Sequence, residues 1–181
     1  MSEIKLPTGK TEVQRVNPKT LLLYGKPKIG KTSLISALDD CLIIDLEEGT
    51  DYVEAMYVRA NNFEDLKGII DALIEKERKY TYIAIDTVTK LEEIVLPYAA
   101  KLYRDTPMGK PWRGKDVRTL PNGSGYLYLR QAFFNIIDIL EKQTENLILI
   151  GHLKDTLVNK DGEEVSAVEV DLTGKIKSIL S

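Results

Sequence analysis

Four short apolar runs punctuate the chain, and each ends on a glycine or an acid. They are Leu21-Leu22-Leu23-Tyr24 before Gly25, Cys41-Leu42-Ile43-Ile44 before Asp45, Tyr82-Ile83-Ala84-Ile85 before Asp86, and Leu147-Ile148-Leu149-Ile150 before Gly151. Runs of this length without polar alternation suit strands buried on both faces of a parallel sheet. Between them the apolar spacing becomes helical. Phe63, Leu66, Ile70 and Leu73 fall at i, i+3, i+7 and i+10 and predict an amphipathic helix over 63–78, while Phe133, Ile136, Ile137 and Leu140 predict a second over 126–143. Residues 31–38 and 88–104 also read as helical, the latter with Pro97 placed to kink or break it. Met56-Tyr57-Val58-Arg59 is a short strand, and 153–170 a hairpin around Asn159-Lys160-Asp161-Gly162. Strands alternating with helices predict an α/β domain of three layers, with a mainly parallel central sheet and a C-terminal β-hairpin. The whole of 1–181 reads as one domain, with residues 1–19 as a polar lead-in.

Composition narrows this only slightly. Hydrophobic residues make up 43% and charged residues 29% of 181, the balance of a soluble globular protein. No apolar run approaches membrane-spanning length and the first ten residues have no apolar core, so the expected location is the cytoplasm, without a membrane role. The single cysteine, Cys41, excludes a disulfide framework and reads as a small buried residue. A net charge of −3 gives no global basic footprint of a dedicated nucleic-acid binder, so such a role would need a local patch.

The most specific motif follows the first apolar run. Gly25-Lys26-Pro27-Lys28-Ile29-Gly30-Lys31-Thr32-Ser33 contains G-x-x-x-x-G-K-[ST] in full, between a strand-like and a helix-like stretch as its mechanism requires. A polyphosphate needs desolvated, converging N–H donors, and glycines let the backbone approach it closely. Lys31 is placed to reach the β- and γ-phosphates, and the Thr32 hydroxyl to ligate Mg²⁺. The motif therefore expects a nucleoside triphosphate with Mg²⁺, and the cofactors of the reading reached below are ATP and Mg²⁺. An Asp ending a later strand holds the metal in phosphate-loop proteins, and Asp86 fits that place. Thr87 follows it rather than a glutamate, which directs the search for a water-activating base to the carboxylates Asp45, Glu47, Glu48 and Asp51. That run reads equally as a solvated acidic turn.

Two further features concern partners. The long segment 105–124 carries three of the seven prolines and three of the twelve glycines. Between 101 and 118, six cations (Lys101, Arg104, Lys110, Arg113, Lys115 and Arg118) face two anions, Asp105 and Asp116, a local charge of +4. Trp112 lies among them, the pattern with which a protein stacks and neutralises single-stranded DNA, and equally one that serves as a solvated loop or subunit contact. His152, the only histidine, ends the last buried strand. Asn159-Lys160-Asp161 and Asp171-Leu172-Thr173-Gly174 imitate guanine-nucleotide motifs, but their spacing and order are wrong for a GTPase.

With Leu22 to Ser33, Asp45 to Thr50, Ile83 to Val88 and Ile150-Gly151-His152 in place, the chain resembles the RecA-like core. Within it, the chain looks like phage-encoded AAA-type nucleotide-binding proteins related to single-strand annealing recombinases. The resemblance covers roughly residues 18–181. It implies that Glu47 is the catalytic glutamate, that Asp86 supports the metal, and that His152 is a polar sensor of the γ-phosphate. It also implies a ring or filament of like subunits in which a neighbour's cation completes the site. A further helix and strand normally follow the segment like 171–181, so the chain reads as one that stops early. The stretch 153–164, with two lysines and four acids, is not the basic loop the family uses there. The reading is an ATP-binding and ATP-hydrolysing protein of phage DNA recombination or annealing. A nucleotide-switched protein-binding module and a small-molecule kinase are the alternatives.

Overall fold

The computed structural model describes residues 19–76, 79–160 and 163–173 together with Gly9 and Ile176, with 154–160 and 163–170 described by backbone alone. The lead-in 1–19 apart from Gly9 and Lys19, residues 77–78, the tip of the hairpin at 161–162, and 174–175 with 177–181 lie outside the described residues.

The apolar runs become strands. β1 (Thr20–Gly25), β2 (Cys41–Asp45), β3 (Met56–Arg59), β4 (Tyr80–Asp86) and β5 (Thr144–Lys160) form a parallel sheet in the order β1-β5-β4-β2-β3, and β6 (Glu163–Val170) pairs antiparallel with the outer half of β5. Every residue of β2 is buried, which is why its sequence shows no alternation. The helices are α1 (Lys31–Ser36), α2 (Phe63–Glu75), α3 (Val88–Ile94), α4 (Leu96–Arg104) and α5 (Gly125–Gln143).

The sheet is covered unequally. Ile44, Ile83, Ile85, Leu147 and Leu149 pack with α2, α3, α4 and α5 in a large cluster that includes Leu66, Leu91, Phe133 and Leu140. On the opposite face Ile43, Ala84, Ile148 and Ile150 join Cys41 and Ile35 of α1 in a smaller one. The structure is thus the expected three-layer α/β/α phosphate-loop fold with a C-terminal hairpin. Cys41 is buried in it, and burial raises its thiol pKa to about 11, which keeps it a protonated packing group.

Local chemistry sets the boundaries. The Asn62 side chain accepts the Asp65 amide at 3.0 Å, and the Asp65 carboxylate accepts the Asn61 amide at 3.0 Å, a reciprocal cap that starts α2. Pro97 falls at the start of α4, where its missing N–H costs least, and so divides 88–104 into two helices. α1 stops at Ser36 and α2 at Glu75, two and three residues short of the spacing-based expectation. β5, by contrast, runs without a break from the sheet into the hairpin.

The registry decides what the sheet presents. Asp45 pairs with Asp86 across β2 and β4, Asp86 with Ile150 across β4 and β5, and Gly25 with His152 across β1 and β5. Four strands therefore deliver an acid, an acid, a histidine and a phosphate-loop glycine to one edge, the carboxyl end where open α/β sheets hold ligands.

Candidate functional site

The loop after β1 turns on two left-handed residues, Lys28 at φ 64° and Gly30 at φ 93°. At Gly30 a side chain would find open space, so the glycine answers the backbone angle rather than crowding. Lys31 opens α1 and is buried. Its Nζ donates to the Gly25 and Lys26 carbonyls, each at 2.9 Å, and an ammonium has a third proton to give. Burial lowers the Lys31 pKa from its ordinary value, and the charges of Asp86 and Glu47 oppose that shift.

Thr32 Oγ1 donates to Asp86 Oδ2 at 2.6 Å. The hydroxyl and the carboxylate thus meet under the loop, and a Cβ built on Gly49 would lie 3.5 Å from that Asp86 oxygen and 3.6 Å from Thr32 Oγ1. Asp86 is buried, and burial pushes its carboxyl pKa up. The Thr32 hydrogen bond pulls the other way, Asp45 and Glu47 add to the rise, and His152 reduces it. These are hard oxygen donors of the kind Mg²⁺ takes when most of its shell comes from water and phosphate. Among the described residues there is no group of three or more His, Cys, Asp or Glu that could cage a metal by itself.

The acidic turn separates into members with different work. Asp45 is 1% exposed, and its Oδ1 accepts the amides of Glu47 at 3.0 Å and Gly49 at 3.2 Å. Its Oδ2 accepts the Thr50 amide at 3.1 Å and the Thr50 hydroxyl at 2.5 Å. Burial opposes the Asp45 charge, but these bonds prevail and hold its carboxyl below the usual value. Arg59 approaches from β3, with Nε 3.7 Å from Asp45 and its far end paired to Asp51. Asp45 therefore folds the chain into the 3₁₀ turn Gly49–Tyr52, with Glu48 in the left-handed region at φ 61°.

Glu47 points across the sheet edge instead. Its Oε1 accepts the Thr87 hydroxyl at 2.6 Å, and its Oε2 lies 2.8 Å from His152 Nε2. Thr87 follows Asp86 through a cis peptide and caps α3, accepting the Lys90 amide at 3.3 Å. His152 thus stands beside Glu47, with a buried Nδ1 that has no hydrogen-bond partner among the described residues. A cavity of about 380 Å³ opens beside Glu47, which lines it together with Leu46, Glu48, Asn61, Thr89, Lys90 and Glu93.

The sequence-predicted residues Gly25–Ser33, Glu47, Asp86 and His152 are brought to one edge. Thr87, which the sequence marks only as the absence of a glutamate, joins them through its hydroxyl. The available signal was its place between a strand-ending acid and a helix, where Thr is a favoured cap.

The basic segment is elsewhere, after α4. Trp112 is half-buried with its ring edge-to-face on Tyr103 at 5.3 Å, and the Arg104 guanidinium lies 5.9 Å over it. Gly114 runs so close that a Cβ there would lie 2.4 Å from the indole. Lys101, Arg104, Lys110, Arg113, Lys115 and Arg118 are all exposed. Arg118 is held by Asp116 through both carboxylate oxygens, and Arg113 donates to the Lys110 and Trp112 carbonyls. Among the described residues no helix is long and apolar enough to cross a membrane.

The model of a protein family described as AAA domain matches residues 17–181. No curated protein matches the chain.

Proposed function

The chain belongs to the AAA domain family, a family of nucleotide-binding, ATPase-type domains, and from that premise we propose that it binds ATP with Mg²⁺ and hydrolyses it by attack of water. The observation that carries this reading is the 2.6 Å contact between Thr32 Oγ1 and Asp86 Oδ2 directly under a complete phosphate loop. Those two oxygens would hold Mg²⁺, which when bound neutralises charge on the β- and γ-phosphates. The backbone of Gly25–Ser33 would cradle the phosphates, with Lys31 adding a point charge. Glu47 is the base in this reading. Its carboxylate is fixed by Thr87 and His152 and its charge is felt at Lys31 of the loop, and from there it would orient a water and accept its proton. His152 would feel the γ-phosphate through this contact with Glu47.

Replacing Lys31 with alanine tests the nucleotide site. Charge-assisted hydrogen bonds contribute about 1.5–3 kcal/mol each, so Lys31→Ala should weaken ATP binding at least about tenfold by titration calorimetry. Unchanged affinity would remove the assignment.

The wider role we propose is in phage DNA recombination or single-strand annealing, in the cytoplasm, by a ring or filament whose neighbouring subunits complete each site with a cation. The exposed cations of 101–118 support single-stranded DNA as the partner. A second reading, a nucleotide-switched module that binds a protein, is favoured by the packing of half-buried Trp112 against Tyr103 and Gly114, which engages the indole within the chain itself. ATP turnover with and without single-stranded DNA, across concentrations that span assembly, separates the two. Stimulation by DNA and a rate per subunit that climbs with concentration support the recombinase-like role. Binding of ATP with turnover indifferent to both supports the module.

A further inference from the structure

The last residue of β4 and the cap residue of α3 that follows it carry side chains that part company. Asp86 turns to Thr32 under the phosphate loop, and Thr87 turns to Glu47 on the neighbouring strand's turn. Thr87 is 1% exposed and its hydroxyl already accepts the Lys90 amide, so its single hydrogen is directed at Glu47 Oε1, at a distance typical of a hydroxyl on a carboxylate.

Glu47 needs such a fixture. Its side chain is 32% exposed, and it sits on a turn rather than a strand. The terminal torsion of a glutamate is broad, so one contact at each oxygen is what defines where its lone pairs aim. His152 occupies one oxygen and Thr87 the other. The Thr87 backbone cannot drift, because it joins a fully buried strand end to the first turn of α3.

We infer that Thr87 is a positioning residue for hydrolysis: its hydroxyl holds the Glu47 carboxylate in register with the Thr32–Asp86 pair, so that β4 sets the metal side and the water side of the reaction together. This rests on the reading of Glu47 as the base. The hydroxyl does not touch nucleotide. It acts only through the aim of Glu47, and nothing in it is consumed.

The consequence is a split between binding and turnover. In Thr87→Val the shape is kept and the hydroxyl lost, so turnover should fall on the order of tenfold to a hundredfold, as for a misaimed catalytic group, with ATP affinity within about twofold. Thr87→Ser restores the hydroxyl and should recover the rate. Since valine also removes the cap of α3, its melting temperature is read beside the rate, and Thr87→Asn, whose side chain can cap the helix through its oxygen and donate an N–H to Glu47, should recover part of the turnover that Thr87→Val loses. Combined with Glu47→Gln, Thr87→Val should add no further loss, because both act on one step. A crystal structure of Thr87→Val gives a readout independent of rate, in which Glu47 leaves its position on residue 87.

Parental turnover in Thr87→Val, losses that multiply with Glu47→Gln, or a Glu47 side chain that stays in place would each overturn the inference. If Glu47→Gln itself hydrolyses ATP at the parental rate, the reading of Glu47 as the base is what fails. If Glu47→Gln is slow and Thr87→Val is not, the base stands and the positioning role falls.

Discussion

The turn after β2 and the segment after α4 are both irregular, both dense in charge of one sign, and opposite in how they are held. In the acidic turn a single charged side chain does the folding. Asp45 is buried and gathers the amides of Glu47, Gly49 and Thr50, which leaves Glu47 on a fixed backbone reaching across to Thr87 and His152. In the basic segment the charges fold nothing comparable. Its frame is aromatic and glycine: Trp112 on Tyr103, Tyr103 on Tyr128, Gly109 against the Tyr103 carbonyl, and Gly125 against that of Val117. The cations lie exposed on that frame, Arg104 over the Trp112 ring and Arg113 on the Lys110 and Trp112 carbonyls, and none is buried as Asp45 is. A cluster of like charge thus has two physical meanings. Where one member is buried and hydrogen-bonded, the others gain defined directions. Where all are exposed, they supply a field but little geometry.

The sharpest way to break this contrast is within the acidic turn, at its two principal carboxylates. Glu47→Gln removes the proposed base while leaving Asp45 to hold the turn, so turnover should fall by about 10²–10⁴ with thermal stability unchanged. Parental turnover would place the base elsewhere.

Asp45→Asn should do the reverse and strike stability first. The neutral amide loses acceptor strength toward Thr50, Glu47 and Gly49, at a cost of about 2–3 kcal/mol by denaturant unfolding, one to two charged hydrogen bonds' worth. The sign with pH follows. The folded-state value lies below the unfolded one, so the carboxylate stabilises the fold above the ordinary Asp value near 4 and loses that contribution as pH falls through the folded value. The gap between parent and Asp45→Asn should accordingly be widest at neutral pH and close in acid. A gap independent of pH would assign the effect to packing instead.

In the basic segment the corresponding break is apolar. Gly114→Ala puts a methyl group 2.4 Å from the Trp112 ring, and overpacking of this kind costs about 1–3 kcal/mol. Its signature is a lower melting temperature with a shifted tryptophan emission. An unchanged melting temperature would mean that the indole frame yields freely.

The legibility of each region follows the same division. Continuous apolar runs announced β2, β4 and β5 because burial on both faces removes alternation, whereas β1 lies at the edge of the sheet with Leu21 and Tyr24 exposed, and the phosphate loop is legible because its geometry needs fixed residue types at fixed spacing. Asp45 and Glu47, two residues apart, look alike in sequence. Only the strand registry, which buries the first and points the second at β4, distinguishes them. Thr87 was read for what it lacked, because its partner lies 40 positions away and no local pattern encodes that pairing. Trp112 among cations resembles a stacking platform, and the neighbours that enclose it, Tyr103 and Gly114, are ordinary residues until the chain folds.

The smallest effect sharpens the contrast most finely, since it asks whether exposed charges in one patch are equivalent. Lys115 is exposed and makes no ion pair with a described residue, whereas Arg118 is engaged by both oxygens of Asp116. Neither should matter to stability beyond about 0.5 kcal/mol, the range of surface substitutions. If single-stranded DNA lies on this surface, Lys115→Ala should reduce the slope of log affinity against log salt by about 0.7, the share of one phosphate contact. Arg118→Ala should reduce it by less, because its charge is already neutralised by a neighbour on the same turn and the pair would have to open before a phosphate could replace the carboxylate. Equal reductions would show that the Arg118–Asp116 pair opens on binding. A slope unmoved by either would take the DNA away from this face and leave its cations to a partner of another kind.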